Sequence, residues 1–556
     1  MTLAVPNAPL ESRNEGALAE LEFGKLTSED YLHESKHPPG KPITEVRMDE
    51  PPYYIYIMTY ISYLILIIFG HVRDFFGKIF RPGDYNDLIE KDGYAPWYDG
   101  FESFYIRRLK DRIDDLFARP IHGAPGRYTR CFDRIRLRRL NYHYTGNLSE
   151  CLNLSSYNYL GFGQSKGACT DCALDWTDKY GTANGTPLLY SGANDYIAAC
   201  EKRTAEFVGQ ESALVVSQGY GTNGSLFASL LDENSLIISD ELNHASIRYG
   251  IRLSGASVKV CKHNDAENLE EILRISIAQG QPRSHRPWKK IIIAIEGLYS
   301  MEGNMCNLPK IVELKERYKC YLFVDEAHSI GALGPRGRGV CDYFSIDPTR
   351  VDILMGTFTK SFGATGGYIS GKKALIDRLR INYMVNAYSE LVSPAVAAQI
   401  ITSMSIIEGK INPGEGVERL RRITFNSRYL RLGLKRLGFI VYGADDSPVI
   451  PLLLYLPSLM PVASRMLYED KIIVVVVGYP ATPLSSARLR LCVSSALTKE
   501  DIDYVLTKFS EIGDKVLFKF GPGALGSSNF PLVRHPWSLE EVLSRTPGDC
   551  KKSSLN

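Results

Sequence analysis

The sequence has no surplus of charge of either sign: 65 basic against 63 acidic residues leave a formal net charge of +2 over 556 residues. That balance provides no field to draw the chain to a polyanion, so no nucleic-acid partner is expected. Cysteine is sparse as well, with 11 residues scattered from Cys131 to Cys550. Without a dense framework they read as reduced thiols of a cytosol-facing protein rather than as disulfide staples. The one CxxC, Cys169 and Cys172, lacks a second pair or histidines at ligand spacing, so no metal site is expected. Long apolar runs are absent except for YYIYIMTYISYLILIIFG at 53–70. This run lies well inside the chain and no small-residue cleavage pattern follows it, which argues against a cleaved signal peptide.

What is present divides the chain into several units, as its length requires. Residues 1–52 are polar, rich in Glu, Lys and Pro and without apolar periodicity, so a disordered arm is expected. As a helix rising about 1.5 Å per residue, the run at 53–70 would be roughly 27 Å long, enough for a hydrocarbon core. It reads as a membrane anchor, a transmembrane helix or one lying in a single leaflet, because five tyrosines dilute it. Arg73, Lys78 and Arg81 follow it and favour a cytosolic body. Residues 71–150 form a charged connecting region, in which FESFYIRRLKDRIDDLF at 101–117 has the apolar spacing of an amphipathic helix. From 151 to 427 short apolar runs alternate with amphipathic segments, the pattern of an α/β fold with a mostly parallel sheet. The strands expected there are SALVV (212–216), SLIIS (235–239), KIIIAI (290–295), YLFV (321–324) and VDILM (351–355). A smaller C-terminal α/β unit is expected over 428–520, followed by a tail over 521–556.

Each of those runs ends in polar residues, and in open α/β sheets the carboxyl ends of strands line the ligand cleft. The endings are GYGTNG, SDELNHAS, EGLYSMEG, VDEAHSIG and GTFTKSFG. They supply a phosphate loop, two histidines, an aspartate and a lysine, which is what pyridoxal 5'-phosphate requires. That cofactor needs an amine to hold it as a Schiff base, an acid to keep its pyridine nitrogen protonated, and donors for its phosphate. Lys360, placed against the apolar ILMG and flanked by Thr357, Thr359 and Ser361, is the expected Schiff-base lysine. Asp325, directly after YLFV, is placed for the pyridine nitrogen. His328 lies within reach of the cofactor or substrate, and His244 is positioned to stack on the ring. A competing motif is the GxGxxG formed by Gly219, Gly221 and Gly224, with Asp240 about 20 residues on. A dinucleotide site would leave Lys360, Asp325 and the threonines without a role, so the glycines read as main-chain phosphate donors at a helix start.

The runs SYNYLGF, SDELNHAS, VDEAHSIGALGPRGRGV and GTFTKSFGATGGYI resemble the α-oxoamine synthases, fold-type I pyridoxal-phosphate transferases that condense an amino acid with an acyl-CoA. Within that family GQPRSHRPWKK, EGLYSMEG and VVVVGYPATP are similar to the sphingolipid-forming branch, from the membrane run to about residue 520. The resemblance implies L-serine and palmitoyl-CoA as substrates, loss of CO₂, and a related lysine-free subunit as heterodimer partner. It also implies an endoplasmic reticulum membrane location with the body facing the cytosol. Carried over, Lys360 is the Schiff-base lysine, Asp325 pairs with the ring nitrogen, His244 stacks and His328 contacts cofactor or substrate. Thr357, Thr359 and the amides of Gly219 and Tyr220 hold phosphate. Asn158 and Arg490 are expected at the serine carboxylate, with Arg488 as the alternative, and PATP (480–483) beside the acyl thioester. One stretch departs from the family, where Leu188 and Ile197 replace the usual Arg and His. That puts acyl preference, or activity itself, in doubt and leaves open a non-catalytic subunit or a sister enzyme that uses glycine.

Overall fold

A computed structural model describes residues 33–38, 49–98, 100, 102–110, 113, 116, 119–138, 141–183, 185–192, 194–523 and 534–545, with residues 23 and 43 as isolated points. Helix α1, Tyr53–Phe80, contains the whole apolar run and continues past Gly70 through Arg73, Asp74 and Lys78. Its inward stripe is Ile55, Thr59, Tyr63, Gly70 and Asp74, a spacing that keeps one seam of the helix facing one way along its length. That seam meets the body at its start and the segments 82–88 and 102–110 further on. Ile55 joins Ile440, Leu453 and Tyr455, and the turn Leu484–Ser486 packs beside the helix. Asp74 accepts from Arg107 at 2.9 Å and from Arg108 at 2.6 Å. The remaining faces expose large apolar side chains, among them Ile57, Ile61, Leu64, Ile68, Phe75 and Phe80.

Three features of the N-terminal part differ from expectation. Residues 33–38 of the arm pack on the body: His37 lies 5.2 Å from the Phe344 ring, and Ser35 Oγ accepts from the Gly334 amide at 3.2 Å. The segment at 101–117 is helical over Glu102–Tyr105 and passes into a π-helical turn over Ile106–Lys110, with most of its remainder outside the described residues. The connecting region holds a long antiparallel hairpin, β1 (Tyr128–Arg138) and β2 (Asn141–Asn153), which its charged, aromatic sequence did not reveal.

The expected α/β class holds. The main sheet has seven strands: β3 (Ser212–Val216), β4 (Ser235–Asp240), β5 (Ser257–Cys261), β6 (Lys290–Glu296), β7 (Tyr321–Asp325), β8 (Ile353–Thr357) and β9 (Gly367–Gly371). Their spatial order is β3-β9-β8-β7-β6-β4-β5. Only β9 runs antiparallel to its neighbours, so β4 to β8 deliver their carboxyl ends to one edge. The central strands are buried along their whole length, which is why they appear in the sequence as uninterrupted apolar runs. Helices α2 (Gly219–Leu230) and α3 (Ala245–Leu253) start at that edge and pack on each other. Toward the C-terminus, α4 (Glu415–Arg436) covers a small antiparallel sheet of β10 (Val449–Leu453), β11 (Val475–Val477) and β12 (Arg488–Cys492), in the order β10-β12-β11.

Candidate active site

The cleft at the carboxyl edge is built around Asp325, the last residue of β7 and 4% exposed. A carboxylate this enclosed needs donors, and it has two. Its Oδ1 accepts from the Ala327 amide at 2.8 Å and its Oδ2 from Asn223 Nδ2 at 2.7 Å. Asn223, on α2, donates also to Ser246 Oγ at 3.0 Å. Ser246 in turn meets His244 Nδ1, at 2.7 Å from its hydroxyl and 3.2 Å from its amide, so the histidine caps α3 with its ring held in place. Because Nδ1 accepts the Ser246 amide, the imidazole proton sits on Nε2. A single network thus joins Asp325 to His244 through α2 and α3. Desolvation, together with the nearby charges of Lys360 and Arg490, lowers the His244 pKa against the opposing pull of Asp325.

Lys360 lies just beyond β8, half-buried. Its amine sits 5.8 Å from the centre of the Tyr157 ring. Loss of water pushes its pKa down to about 8, with Asp325 and Glu296 pulling it back up and Arg490 adding to the depression. Arg490, on β12, lies 4.8 Å from the same Tyr157 ring. It is 7% exposed and its Nε finds no hydrogen-bond partner. A buried guanidinium with an unpaired N–H is set up to receive an anion. Arg488 is not: it donates to Met301 O at 2.8 Å and Ser486 O at 2.9 Å and lies 3.6 Å from Glu302. His328 faces Tyr157 edge-on at 5.4 Å, and its Nδ1 is 2.8 Å from the Tyr159 hydroxyl. Burial and the same cations keep its pKa well below the usual histidine value, so this ring is neutral.

At the other side of the cleft, Gly219 opens α2, and the amides of Gly219 and Tyr220 belong to the first helical turn, which has no internal acceptors. A Cβ on Gly219 would lie 3.3 Å from Thr357 Cγ2, so the glycine lets the helix start close to Thr357 at the end of β8. Thr359 is exposed beside it, and Tyr220 stands 6.0 Å from the His244 ring. Asn158 belongs to the loop below Tyr157 and is occupied with main chain: its Nδ2 donates to Pro125 O at 3.1 Å, and its Oδ1 accepts from Gly163 N at 3.0 Å.

Lys360, Asp325, His244, His328, Arg490, Gly219, Tyr220 and Thr357 therefore meet at one cleft edge, while Asn158 is tied to Pro125 and Gly163, and four more residues that had not been assigned a part join them: Tyr157, Asn223, Ser246 and Glu296. Tyr157 stood inside SYNYLGF and Glu296 at a strand end, so both had a signal, whereas Asn223 and Ser246 acquire their place only through helix packing. Leu188 and Ile197 are core residues, 8% and 1% exposed. Leu188 packs with Leu214 and Tyr383, and Ile197 with the larger core around Phe207. The departure from the family pattern thus falls on side chains that fill the interior. Asp240 is held by His263, 3.1 Å from each of its oxygens, and is not presented to a ribose.

The donor set fits pyridoxal phosphate: a half-buried amine with a lowered pKa, an anchored carboxylate, helix-start amides beside a threonine, and a histidine ring held by Ser246. Fold and site together define a fold-type I pyridoxal-phosphate transferase. The profile of the aminotransferase class I and II family matches residues 149–509. The chain is 57% identical over 550 residues to Serine palmitoyltransferase 2 of Kluyveromyces lactis, covering 98% of this chain and 96% of that protein. It is likewise 57% identical over 548 residues to Serine palmitoyltransferase 2 of Saccharomyces cerevisiae, covering 98% and 97%. A solved structure of SPT with a PLP internal aldimine shares the fold, with a TM-score of 0.66 at 24% identity over 76% of this chain and 100% of that one. The chain belongs to the aminotransferase class I and II family, on its α-oxoamine synthase branch, and its cofactor is pyridoxal 5'-phosphate.

Proposed function

We propose that this chain is the catalytic subunit of a serine C-palmitoyltransferase, condensing L-serine with palmitoyl-CoA to give 3-ketodihydrosphingosine, CO₂ and free coenzyme A. The observation that carries this reading is the convergence of Lys360, Asp325 and Arg490, whose Nε has no partner, on one cleft. Once bound, pyridoxal phosphate supplies the electron sink that takes up the electron pair left by the α-proton or by CO₂. Every other task falls to side chains.

Lys360 binds the cofactor and, when freed by the incoming serine, acts as base. With a pKa near 8, roughly a quarter of such amines are neutral at pH 7.5 and able to take the α-proton. Asp325 holds a proton on the pyridine nitrogen. The donors on its two oxygens fix its orientation and stop it from turning away. His244 covers the ring face, and neutral His328 offers a hydrogen bond without adding charge. Gly219 and Tyr220 amides, with the Thr357 and Thr359 hydroxyls, take the phosphate. Arg490 receives the serine carboxylate; Asn158 would have to release one of its main-chain bonds to share it. Buried Thr482 of the PATP loop has an unpartnered Oγ1, which supports a place for that loop at the acyl thioester.

The body sits on the cytosolic face of the endoplasmic reticulum membrane, held by α1. Packing of Ile55 on Ile440, Leu453 and Tyr455 holds the start of α1 to the body, and the exposed apolar faces of the helix enter the membrane. A related, lysine-free subunit completes the enzyme. Exposed Leu189, Tyr190, Tyr220 and Tyr388 on the main-sheet unit support such a contact. The test is release of labelled CO₂ from carboxyl-labelled serine by the solubilised two-subunit complex. Release should depend on palmitoyl-CoA. Turnover of glycine but not serine, or full activity of this chain purified alone, would overturn the proposal.

A further inference from the structure

Glu296 ends β6 beside Asp325 at the end of β7, and the two are direct partners in the parallel register. Paired residues on adjacent strands point to the same face, with Cα atoms about 4.8 Å apart, so two carboxyl groups share one buried corner. Asp325 has two N–H donors there. Glu296, 4% exposed, receives one, the main-chain N–H of His244. The Glu296 amide itself donates to the Tyr299 hydroxyl at 3.3 Å. The side chain therefore grips the residue that caps α3, whose ring and Ser246 lead on to Asn223 and Asp325.

We infer that Glu296 is a positioning residue of this site, its carboxyl fixing His244, the cap of α3, and through it the imidazole ring and the Asn223–Asp325 pair. The inference rests on the place proposed for His244 over the cofactor. Two adjacent buried carboxyl groups resist ionising together, and Glu296 is the one with fewer donors. The groups facing Glu296 are Asp325 from β7, His244 from α3, Lys360 from beyond β8, and Glu302. Burial first and Asp325 next hold its pKa well above the usual carboxylate value, with Glu302 adding to the rise and the His244 N–H and Lys360 opposing it. Burial beside Asp325 thus favours the protonated form of Glu296, which acts by shape and by accepting the His244 N–H.

Glu296→Gln and Glu296→Ala separate these roles. The amide keeps the acceptor and the volume, so E296Q in the solubilised complex should retain serine turnover and the visible spectrum of the loaded enzyme within about threefold of the parent. E296A releases the His244 amide and should lower kcat/KM for serine by about tenfold or more, with an altered spectrum. E296Q as damaged as E296A, or E296A within about threefold of the parent, would overturn the inference. A second readout uses the cofactor-free full chain. A folded carboxyl that holds a proton the unfolded chain has released loses stability as pH rises from the unfolded value toward the folded one. The melting temperature of E296Q should therefore gain on the parent as pH rises above the ordinary carboxylate value, by about a degree or more per pH unit until the folded value is passed. A constant difference would overturn the neutral assignment. Because this measurement needs no cofactor, its outcome is independent of whether His244 stacks as proposed.

Discussion

Replacing Asp325 by Asn removes one charge while nearly preserving shape, and the structure sets the size of each consequence. Oδ1 and Oδ2 each accept a buried N–H, from Ala327 and Asn223. An amide accepts at one end only, so its other end would face a donor. If the new oxygen stays on Ala327, its NH₂ meets Asn223, whose Oδ1 has no partner now and is free to turn and accept. The folded state therefore loses about one hydrogen bond's worth, roughly 1 kcal/mol, and the protein should remain folded and able to bind cofactor and serine. Catalysis loses more, because the ring nitrogen would no longer be held protonated by an ion pair at the steps where negative charge builds up. We expect turnover to fall at least about a hundredfold, which is about 2.7 kcal/mol of transition-state stabilisation. The assay is CO₂ release at saturating serine, with cofactor content measured from visible absorption on the same sample. Turnover within about threefold of the parent at full cofactor content would refute the argument and leave Asp325 as a structural cap.

Two further outcomes follow from the geometry. Arg490→Ala should raise the KM for serine by about tenfold to a hundredfold, as expected for losing one charged hydrogen bond of about 1.5–3 kcal/mol; Arg488→Ala should instead lower the melting temperature, since it releases Met301, Ser486 and Glu302, and equal effects on KM would count against the division of roles. Asn147 heads an N-x-S/T sequon and is exposed on β2, so a cytosolic body requires that it carry no glycan, and a glycosidase-sensitive mass shift removed by Asn147→Gln would reverse the orientation.

The parts that the sequence made readable share a physical cause. β4, β6, β7 and β8 are largely buried on both faces, so their apolar runs stand out, and the polar residue that ends each run is where a ligand cleft must be. Lys360 and Asp325 were visible for that reason. β5 was not, because SVKVC alternates half-exposed and exposed positions at the sheet edge. β9 was hidden in a glycine-rich stretch that reads as a flexible loop. There, absence of a side chain at Gly356 makes room for Tyr368, whose hydroxyl would lie 2.5 Å from a Cβ at that position. The hairpin of β1 and β2 is largely solvated, so its arginines concealed it. Asn158 and Arg488 could not be weighed against Arg490 from spacing alone, since what distinguishes them is which hydrogen bonds they have already made. Leu188 and Ile197 looked like a lost binding feature because an alignment position carries no information about burial.

The central claim, that Lys360 is the lysine that carries pyridoxal phosphate, is tested most directly by borohydride. Reduction of the purified holoenzyme should fix the cofactor irreversibly. Peptide mass spectrometry should then place the phosphopyridoxyl group on the peptide containing Lys360, with Lys360→Ala giving no such adduct and no turnover. An adduct on any other lysine, or one that persists in Lys360→Ala, would contradict the account.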